Sequence, residues 1–136
     1  MFNSVALYNQ CFSAQWGGGI NYHLALAAAF SDWSCKQIEV EFPTSMNFEE
    51  LRSKLPQGLN RGHWKHQSEG KRIPLLSEFL AAWADRRFDC VIRHGNSIPR
   101  YTFQANAFLQ VDFPRQKQLD WKQKVRLNAY RGIFCN

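Results

Sequence analysis

A chain of 136 residues, 45% hydrophobic and 21% charged, has the size and composition of one folded domain, and that hydrophobicity excludes a disordered chain. No apolar run approaches the ~20 residues of a membrane-spanning helix, and Met1–Phe12 has neither the basic nor the apolar part of a secretory signal, so a cytoplasmic protein is expected. The net charge of +6 favours anionic surfaces or phosphorylated ligands, but Lys and Arg are dispersed and form no basic, aromatic-interleaved stripe, which argues against specific nucleic-acid binding.

Val5–Phe12 is a short apolar run ending in turn-prone residues, as expected of a buried strand. The segment Trp16-Gly17-Gly18-Gly19 then leads into a predicted helix over Ile20–Trp33, with Ile20, Leu24, Ala27, Ala28 and Phe30 approximating one face. Gln37–Pro43 alternates Ile38, Val40 and Phe42 with polar residues and predicts a half-exposed strand toward a sheet edge. Asn47 is placed to cap a helix over Phe48–Leu55. Leu59–Arg72 is polar and reads as a long loop. A helix is predicted after Pro74, carrying Leu75, Leu76, Phe79, Leu80 and Trp83 at helical spacing. Phe88–Arg93 and Ala107–Pro114 are further strands, Gln116–Ala129 a helix, and Arg131–Asn136 a fifth strand. Alternation of this kind predicts an α/β fold, a Rossmann-like open and mostly parallel sheet with helices on both faces, in a single domain over 1–136.

Ligands of such sheets bind beyond the carboxyl ends of the strands. The first loop there, with Gly17, Gly18, Gly19, Asn21 and His23, lets a backbone approach a ligand and puts helix amides near an anion. It matches neither the dinucleotide fingerprint nor a P-loop. The second, with His94, Gly95 and Asn96, offers an imidazole to a hydroxyl or phosphate. In the third, Asp112 could orient or deprotonate a sugar hydroxyl. His63 and His66 are two ligands at most, which makes no metal site. Cys11, Cys35, Cys90 and Cys135 form no CxxC pair and read as reduced thiols.

Four segments in order carry a resemblance: Trp16–Ala27, Phe88–Gly95, Leu109–Pro114 and Leu127–Asn136. Together they resemble the N-terminal domain of family 4 glycosyltransferases, retaining enzymes of the GT-B architecture. The resemblance spans nearly the whole chain. It implies that Gly17, Gly18 and Gly19 line the cleft near a donor diphosphate, with Asn21, His23, Gly95 and Asn96 in substrate contact. His94 and Asp112 would face the acceptor as catalytic residues. Asp112 stands where members acting on lipid-linked oligosaccharides often have histidine, a departure from the pattern.

The resemblance further implies a C-terminal nucleotide-sugar domain as the partner, a glycan or lipid-linked acceptor, and no cofactor beyond the nucleotide-sugar, which is the substrate of the full-length enzyme. A chain ending at Asn136 lacks that second domain and is expected to be inactive alone. The basic excess suits peripheral association with a membrane surface. The competing expectation is a stand-alone, flavodoxin-like ligand-binding or regulatory module without catalysis.

Overall fold

The computed structural model describes residues 2–9, 18–42, 62–66, 74–94, 98–111 and 119–135. Strand β1 (Ser4–Asn9) is central because Val5, Ala6 and Leu7 are apolar on both faces, the pattern of a parallel strand covered on two sides. All three are completely buried. Helix α1 (Gly18–Asp32) follows and packs Leu24, Ala27 and Phe30 onto Val5 and Leu7. It ends with Cys35 N donating to Phe30 O and Ser34 N to Ser31 O, each at 3.0 Å. That is a Schellman closure, and it holds Ser34 at φ 61°, the left-handed region where glycine is usual.

Strand β2 (Gln37–Phe42) pairs with β1 on one side and with β3 (Gly62–His66) on the other. Strand β3 corrects the sequence expectation of a loop over Leu59–Arg72. Its residues have little hydrophobic alternation to reveal a strand, and pairing with β2 supplies the ladder instead. It also covers β2, which lies next to the sheet edge and has Ile38, Glu39 and Val40 buried, where the sequence expectation was a half-exposed strand. The predicted helix at Phe48–Leu55 lies outside the described residues.

Helix α2 (Pro74–Ala84) runs through a 3-10 turn (Asp85–Arg87) into β4 (Cys90–His94), which returns to the free side of β1. Asp89 ties the two strand starts together: its carboxylate accepts from Asn3 N at 2.7 Å and Ser4 N at 3.1 Å. Strand β5 (Ala107–Val111), the short helix α3 (Trp121–Leu127) and β6 (Gly132–Cys135) complete the order. Helix α3 starts later than the sequence expectation of Gln116 because Asp120 and Gln123 form a reciprocal capping box there.

The described strands make one six-stranded, all-parallel sheet in the order β3-β2-β1-β4-β5-β6. The chain steps outward from β1 to β3, crosses back, and steps outward again to β6. This is the Rossmann order, with its reversal between β1 and β4. One sheet face carries Val5, Leu7, Ile38, Val40, Cys90 and Ile92 under α1. Cys35 and Cys90 lie there as free, buried thiols. The other face carries Ala6, Tyr8, Glu39, Val91, Arg93 and Leu109, by the alternation of the strands and their register. Helix α3 lies over this second face, with Leu127 packed in the cluster of Ala107, Leu109 and Tyr130.

Charge on the second face is satisfied internally. Arg87 Nη2 donates to both carboxylate oxygens of Glu39 at 3.0 Å. Arg93 forms an ion pair with Asp85 and sets its guanidinium 4.6 Å from the centre of the Tyr8 ring. Burial pushes the Asp85 carboxyl up, opposed by the Arg93 guanidinium, and burial with the Asp85 charge pushes the Tyr8 phenol up.

Candidate functional site

In a sheet of this order ligands sit outside the carboxyl ends of the strands at the point of reversal, between β1 and β4. Helix α1 brings its first turns to that edge: His23, in its second turn, meets His94, the last residue of β4. The two rings lie edge to face, with centroids 5.6 Å apart and planes at 69°. Both are buried, His23 at 0% exposure and His94 at 2%.

Alternation along β4 puts His94 on the α1 face with Cys90 and Ile92. Its register partner on β5 is Gln110, which therefore stands on the same face and is also buried. Neither ring nitrogen of His23 nor Oε1 of Gln110 has a hydrogen-bond partner among the described residues. Buried polar atoms are nearly always paired, so open atoms on either side of His94 at the strand ends suit ligand groups. Burial, with the His94 ring adding to it, pushes the His23 pKa down to about 3. His23 is accordingly a neutral imidazole at physiological pH, with one N–H to donate and one nitrogen to accept. Such a group orients a hydroxyl or phosphate oxygen; with so low a pKa it makes a poor proton acceptor at neutral pH.

The chain gives no match to any family model, curated protein or solved structure. The site therefore stands on its geometry. Of the residues singled out in the sequence, His23 and His94 are brought together, and Gly18 and Gly19 form the first turn of α1 above them. Asn21, two residues before His23 on the same helix, is exposed. Gly17, Gly95, Asn96 and Asp112 lie outside the described residues.

Gln110 is the site residue that sequence reasoning missed. Its signal was present, since a lone amide inside the run Ala107-Phe108-Leu109-Gln110-Val111 must find a partner once the strand is buried. Among the described residues no three His, Cys, Asp or Glu side chains gather as a metal site requires. His63 and His66 lie on β3, with Glu39 and Phe42 as their register partners on β2.

Proposed function

We propose that the chain is the acceptor-side Rossmann domain of a GT-B glycosyltransferase, which moves a sugar from a nucleotide-sugar to a glycan or lipid-linked acceptor. Transfer then needs a donor-binding domain in addition to this one. The observation that carries the reading is the meeting of His23 and His94 at the point of strand reversal, since each comes from a separate segment of the resemblance. In this reading His23 and Gln110 orient oxygens of the bound substrate, and His94 faces the acceptor with Asp112. The amides of the first turn of α1, at Gly18 and Gly19, lie near the donor diphosphate, where unpaired N–H groups and the helix dipole favour negative charge.

The flavodoxin-like alternative fits the strand order less well. That order has one strand beyond β1 on the β2 side, whereas this sheet has two. The test is ligand-observed NMR of the folded chain against nucleotide-sugars, polyprenyl phosphates, short glycans and flavin mononucleotide. Saturable, weak binding of a sugar or polyprenyl ligand is expected, lost in His94→Ala and weakened in Gln110→Leu. Saturation by the flavin alone would overturn the reading in favour of a flavodoxin-like module.

A further inference from the structure

Helix α2 is turned inside out. Leu75, Leu76, Phe79, Leu80 and Trp83 form one continuous helical stripe, and every one of them is exposed, from 39% at Phe79 to 55% at Leu80. The side turned inward carries Ala82, which is buried, and Ser77 and Glu78, which are half-buried. A soluble helix ordinarily does the reverse, because burying the large apolar side chains is what stabilises its packing. Phe103 packs against Phe79 and Trp83 and is itself 40% exposed, so the apolar surface extends past the helix.

Helix α3 repeats the pattern on a smaller scale, with Trp121 at 70% and Val125 at 59% exposure. Both helices belong to the same side of the sheet. Leu127 of α3 packs with Leu109, and Asp85, at the turn closing α2, pairs with Arg93, on that face. Two further exposed large hydrophobics lie off these helices, Trp33 beside Phe30 at the end of α1 and Ile133 on β6.

Cations border these surfaces. Arg86 sets its guanidinium 4.5 Å from the centre of the Trp83 ring, and Lys122 its ammonium 5.7 Å from that of Trp121. Lys124 and Arg126 occupy the last turn of α3. The acids in the same region are already engaged: Glu78 with Arg100 at 3.8 Å, Asp85 with Arg93, and Asp120 in the α3 cap. Protruding leucine and tryptophan with lysine and arginine at the rim match an anionic bilayer surface, where aromatic rings settle at the headgroups and cations meet lipid phosphates. A second copy fits less well, because the net charge of +6 would bring like-charged rims together.

We propose that the face bearing α2 and α3 docks on anionic lipid bilayers, with Leu76, Leu80 and Trp83 inserted at headgroup depth. The proposal does not depend on the sugar-transfer reading. It is tested by co-sedimentation of the chain with vesicles of phosphatidylcholine and phosphatidylglycerol in about 7:3 proportion, against phosphatidylcholine alone. The expected result is binding to the anionic vesicles, about tenfold or more weaker to the neutral ones, with a blue shift of tryptophan emission.

Leu76→Glu combined with Leu80→Glu, checked for folding by circular dichroism, should lower the partition by about tenfold or more. Lys122→Gln with Lys124→Gln should weaken it and flatten its salt dependence. Binding unchanged by the leucine variant would mean attraction by charge alone and overturn the docking face. Absence of binding by the folded chain would also overturn it. A dimer in light scattering that the leucine variant abolishes would then assign the face to a second copy.

Discussion

At His23, burial links stability to pH. In the unfolded chain its imidazole titrates near the ordinary ~6.5, while in the fold burial holds it down at about 3. Between those values the unfolded state binds the extra proton. The contribution of neutral His23 is therefore complete above about pH 6.5 and is lost as pH falls through 3, by roughly 5 kcal/mol in all. Urea unfolding across that range should show the loss, and His23→Leu should flatten it measurably. An equal slope in the variant would mean that other groups carry the acid sensitivity. Ser34 offers a second test at this scale. Its φ of 61° suits glycine, so Ser34→Gly should raise stability by about 0.5–1 kcal/mol in thermal or urea unfolding. The position was not legible in the sequence, because Ser31-Asp32-Trp33-Ser34 signals a helix end without saying which residue turns left-handed.

At the scale of elements, β2 shows how a correct pattern led to a wrong environment. The alternation of Ile38 and Val40 with Glu39 and Glu41 does mark a strand with an apolar face and an acidic one. Glu39 is nevertheless buried, since Arg87 reaches it from the turn after α2 and β3 covers the edge. Spacing along one strand cannot report a cation supplied nearly fifty residues later. The Asp85–Arg93 pair raises the same point and yields a prediction. Arg93→Met leaves the Asp85 carboxylate buried without its partner and should cost about 3–5 kcal/mol in urea unfolding. Adding Asp85→Leu should recover a large part of that loss, because the pair removed together leaves no uncompensated charge. The start of α3 carried a local signal that the expectation of Gln116 passed over. Asp120-Trp121-Lys122-Gln123 spells a capping box, and it sets the helix start at Trp121.

For the molecule as a whole, the exposed apolar face sets solution behaviour. Leu76→Glu with Leu80→Glu removes side chains that are already more than half exposed, so the change in unfolding free energy should stay within about 1 kcal/mol. Solubility at fixed pH and salt should rise at the same time, measured by light scattering against concentration. A large loss of stability would mean that these leucines are packed in solution. Among the described residues no helix is long and apolar enough to cross a membrane. What the sequence by itself determined was the alternation of strands and helices, and hence the α/β class. Apolar runs such as Val5-Ala6-Leu7 and helical spacing such as that of Leu24, Ala27 and Phe30 are local properties. It also pointed to the strand-end loops, because the carboxyl edge of a parallel sheet follows from chain direction. The tertiary structure alone decided that β3 pairs beyond β2, that His23 and His94 share one buried contact beside Gln110, and that α2 turns its leucines outward. Each of these depends on which distant segment arrives alongside, and periodicity within one segment carries no record of that.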